Sequence, residues 1–273
     1  MEDFKDKVVI VTGGASGVGR ELSKALAYGG AVVVVADINL EGANKTVSEI
    51  KAGGASATAA KLDVTKEADF KRLVEKTARE HKRLDMIFNN AGIIVVGDMR
   101  DVTIEHFRRI VDVNLWGAIN GTMSAYPLMV KQGFGHIVNT ASVAGLVPYP
   151  TGVPYSTTKH AIVGLSTSLR AEGKGLGVKV SVVCPGNIKS NIYKDGTILK
   201  AGWEDIMANL PVQMIETEKA IRKILAGVRK NKAIIVFPSD ACLIWMLHRI
   251  KPGLLSPIHK KMVGSFRKLR GSK

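Results

Sequence analysis

Two side chains four residues apart could move a proton: the phenol of Tyr155 and the ammonium of Lys159, in Tyr155-Ser-Thr-Thr-Lys159. In a helix this spacing puts both on one face, one turn apart, and Pro154 suits the first turn of such a helix. A phenol with its usual pKa is a poor base at neutral pH, but a neighbouring cation favours the ionised form. At roughly 4 Å and an effective dielectric near 20, one positive charge supplies about 4 kcal/mol, enough to bring the phenol to a pKa of about 7. The spacing alone also describes an ordinary solvated helix face. Ser142, in Asn139-Thr-Ala-Ser142, follows a strand-like run and could hold a substrate oxygen as charge develops on it. Asn114, in Val113-Asn114-Leu115-Trp116-Gly117, interrupts an apolar helical stretch, where a buried asparagine often satisfies itself locally.

A second group of residues is suited to a nucleotide. Thr12-Gly13-Gly14-Ala15-Ser16-Gly17-Val18-Gly19-Arg20 is a glycine-rich turn entering a helix. Its glycines let the backbone approach a pyrophosphate, and the helix amino end offers free N–H groups. Asp37 stands where the next Val-rich run ends; there a carboxylate accepts both hydroxyls of an adenosine ribose and repels a 2′-phosphate. That favours NAD over NADP, although Arg20 could attract a phosphate and Asp37 could instead cap the helix from Leu40.

The elements that must position these residues alternate along the chain. Val8 to Val11, Ala31 to Ala36, Ala57 to Leu62, Met86 to Phe88, His136 to Asn139, Val178 to Val183 and Ala233 to Phe237 read as seven strands, separated by stretches with helical periodicity. Runs such as Val32-Val33-Val34-Val35 lack polar alternation, as in strands covered by helices on both faces. The expected fold class is α/β: a doubly wound, seven-stranded parallel sheet (a Rossmann fold) over residues 1–239, followed by an extension over 240–273. Ligands in such sheets bind at the carboxyl ends of the strands.

Thr12-Gly-x-x-x-Gly-x-Gly19, Asn89-Asn90-Ala91-Gly92 and Tyr155-x-x-x-Lys159 together resemble the short-chain dehydrogenase/reductase family, over about residues 5–238. The resemblance implies that Asn114, Ser142, Tyr155 and Lys159 form the catalytic set, with Asn114 holding a water that links Lys159 to solvent. It implies that Gly13, Ser16, Gly17, Val18, Gly19, Asp37, Asp63, Val64, Asn90, Gly92, Ile188 and Ser190, with Tyr155 and Lys159, contact the cofactor. Asp63-Val64 would bracket the adenine. Pro185-Gly186-Asn187-Ile188-x-Ser190 is similar to the segment at the nicotinamide end, with serine where the family more often has threonine. Tyr155 would take the alcohol proton while hydride passes to NAD, and reduction would reverse the path. Dimers or tetramers packed through the helices bearing Asn114 and Tyr155 are implied too. Dehydratases and epimerases of related fold share Tyr-x-x-x-Lys, but their glycine turn usually reads Gly-x-x-Gly-x-x-Gly.

Composition narrows the class. The chain has 273 residues, 46% hydrophobic and 23% charged, with no low-complexity tract, which excludes a disordered protein. Cys184 and Cys242 lack the spacing of a zinc site, and no histidine arrangement points to a metal. The short charged start before Val8 leaves no room for a secretory signal, so a cytoplasmic location is expected. Net charge is +15, and Arg229 to Lys273 holds eleven Lys/Arg against Asp240 alone. There, Ala241-Cys-Leu-Ile-Trp-Met-Leu247 is followed by Ile258, Met262, Phe266 and Leu269 at near-helical spacing among lysines and arginines. Such a basic amphipathic tail lies on a membrane surface or packs over the substrate cleft or a neighbouring subunit. No recognition motif points to nucleic acid. The loops Ile93 to Met99 and Val143 to Val153 supply mostly apolar walls (Ile93, Ile94, Val95, Leu146, Val147, Tyr149, Val153), which favours an apolar alcohol or ketone, and residues 187–215, with Trp203 and Met207, read as a substrate cover. The alternative is a membrane-associated binding or regulatory protein that keeps the fold.

Overall fold

A computed structural model describes residues 4–189, 192, 196–202, 206 and 214–270. Seven parallel strands form the main sheet: β1 (Val8–Thr12), β2 (Val32–Asp37), β3 (Ala57–Lys61), β4 (Met86–Asn89), β6 (Gly135–Thr140), β7 (Val178–Pro185) and β9 (Ile234–Phe237), in the spatial order β3-β2-β1-β4-β6-β7-β9. Two short strands, β5 (Val95–Val96) and β8 (Thr197–Ile198), pair outside it. The chain steps outward from β1 to β3 and then crosses back to β4 on the other side of β1. That reversal opens a crevice at the carboxyl ends of β1 and β4.

Both faces of the sheet are covered, which accounts for strands without polar alternation. Val9, Val11, Val33 and Val35 pack with Leu22 and Leu26 of α1 (Gly17–Tyr28), Val47 and Ile50 of α2 (Leu40–Ala52), and Ile221 and Ile224 of α7 (Thr217–Arg229). Val8, Ile10, Ile87 and Ile137 point the other way, onto Phe70 and Leu73 of α3 (Glu67–His81) and Ala125 and Met129 of α5 (Gly117–Gln132). A buried polar chain crosses the sheet beside the site: Asn89 donates to Asn139 at 2.8 Å, and Asn139 donates to Ser166 of α6 (Val153–Gly173) at 3.0 Å.

Between β4 and β6, α4 (Ile104–Ile110) runs into a π-helical turn, Val111–Trp116, that leads directly into α5. After β9 the extension forms α8 (Ser239–Ile250), a 3-10 turn (Pro252–Leu255) and α9 (Ser256–Leu269).

Candidate active site

The glycine turn borders a cleft of about 580 Å³. Gly13 and Gly17 have φ of +69° and +51°, a region that side chains resist. A Cβ on Gly19 would stand 2.1 Å from the Gly13 carbonyl oxygen, and one on Gly13 would stand 3.0 Å from the Ala91 Cα. Thr12 Oγ1 accepts from the N–H groups of Asn90 and Ala91, both at 3.0 Å, and the Asn90 amide donates to the Thr12 carbonyl at 3.0 Å. These bonds lock the turn to the end of β4. The first-turn N–H groups of α1 have no intrahelical partners, and Gly13, Ser16, Gly17, Val18 and Gly19 all line the cleft.

At one end of the cleft, Asp37 accepts from the Ala15 N–H at 3.0 Å and the Asn39 N–H at 2.9 Å. Asn39, not Asp37, caps α2, accepting from the Gly42 N–H at 3.0 Å. Arg20 is turned away: its Nη2 donates to both carboxylate oxygens of Glu49 at 2.6 Å. Asp63 is held by the Thr65 N–H and hydroxyl at 3.0 and 2.7 Å, and the Asn120 amide fixes the Val64 carbonyl at 3.0 Å. Asp63, Val64, Asn90 and Gly92 all face the cleft, as does Ile188, which is bridged to Ile215. Ser190, Trp203 and Met207 lie outside the described residues.

Ser142, Tyr155 and Lys159 meet at the other end. Ser142 leaves β6 into a 3-10 turn, where its Oγ accepts from the Ala144 N–H at 3.1 Å. That turn packs tightly on α6: a Cβ on Gly145 would lie 2.5 Å from the Lys159 carbonyl oxygen. The Lys159 Nζ donates to the Thr140 carbonyl at 2.8 Å and stands 5.4 Å from the centre of the Tyr155 ring. Asn114, just behind the cleft wall, satisfies itself through a distant segment and not locally. It accepts from the Ile93 N–H at 2.8 Å and donates to the Ile93 carbonyl at 2.9 Å, while a Cβ on Gly92 would lie 3.2 Å from its Oδ1. The π-helical turn carries it there, a form of helix frequent at functional sites.

The family model for short chain dehydrogenases matches residues 7–197. The chain belongs to the short-chain dehydrogenase family. It is 36% identical over 225 residues to an uncharacterized oxidoreductase of Listeria innocua, covering 82% of this chain and 90% of that one. It is 39% identical over 193 residues to a cyclohexanol dehydrogenase of Acinetobacter sp. (strain SE19), covering 70% and 77%. Its fold superposes with a TM-score of 0.84 on a family member from Burkholderia phymatum solved in complex with NAD, at 24% identity and with 93% and 96% of the two chains covered. The chain is thus an oxidoreductase of this family. Its glycine cradle, which side chains would fill, fits a nicotinamide dinucleotide, NAD or NADP.

Electrostatics in this oxidoreductase differ from one expectation. Burial pushes the Tyr155 phenol well above its ordinary value, and the facing Ser142 hydroxyl only partly offsets this. Burial also pulls Lys159 down to about 8. Lys159 therefore does not bring the phenol near neutrality by itself, because both groups leave water and the ammonium is committed to Thr140. Tyr149, edge-on to Tyr155 at 6.3 Å between ring centres, is pushed up to about 12 by burial.

The walls also differ in part from expectation. Ile93, Ile94 and Tyr149 line the cleft, joined by Val143, Ala144 and Ile192. Val95 is buried behind the wall, in the apolar cluster that also holds Ile94, Ala144 and Tyr155; Leu146 packs against the core around Val182 and Cys184, and neither the buried Val147 nor Val153 lines the cleft. Arg109 borders the cleft and was not singled out in the sequence, although it stands four residues before Val113 on the same helical face.

Proposed function

We propose that the chain interconverts apolar secondary alcohols and ketones with NAD(H), with Tyr155 as the proton-transferring group. The observation that carries this reading is a single cleft with Asp37 at one end and Ser142, Tyr155 and Lys159 at the other. A bound nicotinamide ring would supply the carbon that exchanges hydrogen with the substrate. Ser142 would hold the substrate oxygen, and Tyr155, neutral at physiological pH because it is buried, would give that oxygen a proton in reduction and take it back in oxidation. Lys159 would hold the nicotinamide ribose and pass protons onward, its lowered pKa suiting exchange near neutrality. Asn114 would fix the Ile93 segment and hold the water that connects Lys159 to solvent.

NAD is favoured over NADP because Asp37 would meet the adenosine ribose while Arg20, paired with Glu49, is not available for a 2′-phosphate. The remaining cleft residues named above, with Ser190, would complete the cofactor site. The apolar substrate follows from Ile93, Ile94, Val143, Ala144 and Tyr149 at the reacting end, and the likeness to a cyclohexanol dehydrogenase supports it. Assembly into dimers or tetramers through α5 and α6 is supported by the exposed Trp116 and Met123 on that side. Residues 1–239 are read as the catalytic unit and 240–273 as its extension.

The test is a panel of cyclic and aliphatic secondary alcohols, steroids and retinoids assayed with NAD and NADP in parallel. Turnover of at least one apolar alcohol with NAD is expected. Turnover of none of these apolar compounds, or turnover with NADP alone, would refute the reading.

A further inference from the structure

The extension has two unlike sides. One side is tied to the catalytic body: Phe266 of α9 is buried with Ile94, Val95 and Val96, Arg267 donates to Asp98 at 2.7 Å, and Arg270 grips Asp101 at 2.6 and 2.7 Å. These contacts fix α9 against the segment whose Ile93 and Ile94 line the cleft.

The other side has no partner. Of the nine residues of α8 that follow Ala241, seven are apolar (Cys242, Leu243, Ile244, Trp245, Met246, Leu247 and Ile250), yet Ala241 is the only buried residue of that helix. Leu243, Met246 and Ile250 are 56%, 57% and 77% exposed and fall three and four residues apart, on one helical face. After Lys251, whose extended backbone ends the helix, Leu254 of the 3-10 turn and Ile258 of α9 are apolar and each 48% exposed. An apolar face of this extent, on a helix already folded, marks an interaction surface.

Its surroundings are cationic. Lys251, Lys260, Lys261 and Lys268 are exposed and pair with no carboxylate among the described residues. The Arg249 guanidinium stacks 5.4 Å over Trp245, an aromatic type that favours the boundary between water and lipid. Asp240 is the one acid of this extension. A symmetric contact with a second copy would bring these cations against their own equivalents. An anionic phospholipid surface complements both features, since apolar side chains enter the acyl boundary and lysines meet the headgroups.

The geometry points to α8, the turn and the start of α9 as a docking surface for anionic membranes, on which the catalytic domain sits as a peripheral protein. Among the described residues no helix is long and apolar enough to cross a bilayer, so α8 lies in the interface plane. This inference does not depend on the substrate.

Vesicle co-sedimentation of the full chain tests it. Wild type is expected to sediment with phosphatidylcholine vesicles containing phosphatidylserine, to stay in solution with phosphatidylcholine alone, and to be released by salt. Leu243→Ser/Met246→Ser abolishes sedimentation, and Lys260→Gln/Lys261→Gln weakens it by about 30-fold, for roughly fivefold per cation near an anionic surface. Both variants alter exposed residues remote from the cleft, so unchanged circular dichroism and dinucleotide binding check their folding. Wild type remaining in solution with either vesicle, or sedimenting equally with both, would overturn the inference. So would a Leu243→Ser/Met246→Ser chain that still sediments, or one whose only defect is dissociation of an oligomer, which would make the face a contact between copies. Turnover in vesicle-free buffer is read separately and reports on the proposed reaction alone.

Discussion

Replacing Asp37 by asparagine is expected to erase the preference between dinucleotides while leaving the fold intact. In the structure the carboxylate is held at the end of β2 by two N–H groups, from Ala15 and Asn39, so its position is fixed before any ligand arrives. A 2′-phosphate placed about 5 Å away, at an effective dielectric near 20, would be disfavoured by about 3 kcal/mol for each unit of negative charge. That corresponds to a preference for NADH over NADPH of at least roughly 100-fold. Asparagine keeps one acceptor oxygen, so it loses one of the two backbone bonds, at a cost of about 1 kcal/mol that falls on both dinucleotides alike. The ratio of the two dissociation constants is therefore the informative readout. Calorimetric titration with NADH and NADPH at one ionic strength should show the ratio falling by about 100-fold in Asp37→Asn. A companion variant, Glu49→Gln, frees Arg20 from its ion pair and should raise NADPH affinity while leaving NADH affinity unchanged. Equal binding of the two dinucleotides by wild type, or an unchanged ratio in Asp37→Asn, would refute the reasoning.

Three further predictions concern pH and packing. Because burial holds the Tyr155 phenol protonated, kcat/KM for alcohol oxidation should climb by about tenfold per pH unit through the alkaline range, while ketone reduction stays flat around neutrality; pH-independent oxidation would contradict this. His136 is buried and held down to about 3, its Nε2 bonded to Ser181 at 2.9 Å. Its folded pKa lies below its unfolded one, so the unfolded chain takes up the proton first: stability is intact above about pH 6.5 and falls as pH drops toward 3, by roughly 1.4 kcal/mol per pH unit. Urea unfolding across that range should show the slope, and His136→Gln should flatten it. Phe266→Ala should cost about 3 kcal/mol of local packing, read as faster hydrogen exchange over residues 256–270 with dinucleotide affinity unchanged; protection equal to wild type would show that Phe266 does not anchor the tail.

Much of this site could be read from local sequence. The inner strands of the main sheet, such as β1 and β2, announce themselves as short apolar runs covered on both faces, and the glycine turn does so because Gly13, Gly17 and Gly19 stand where a side chain is strained or excluded. Tyr155 and Lys159 follow from helical spacing, and Ser142 from its place at a strand end. What escaped depends on contacts between distant segments. The β5–β8 ladder has two residues per strand, too few to set a period. Asp98 and Asp101 meet Arg267 and Arg270 across 169 residues, and no spacing rule links them. The tail's two alternatives were both visible in its composition, but only the fold shows α9 packed beside the substrate wall with the apolar face of α8 left open. Spacing shows the attraction of Lys159 for an ionised Tyr155 but not the burial that opposes it, which only the fold reveals.

Tyr155 is proposed to transfer the proton in the cleft that would hold the dinucleotide. Tyr155→Phe deletes one oxygen, keeps the ring against Tyr149, and leaves the glycine turn and Asp37 untouched. Measured side by side, NADH affinity should match wild type while turnover of the best alcohol from the panel falls by at least roughly 100-fold, the usual weight of a general acid–base group. Turnover within a few-fold of wild type, with NADH bound equally well, would contradict the account.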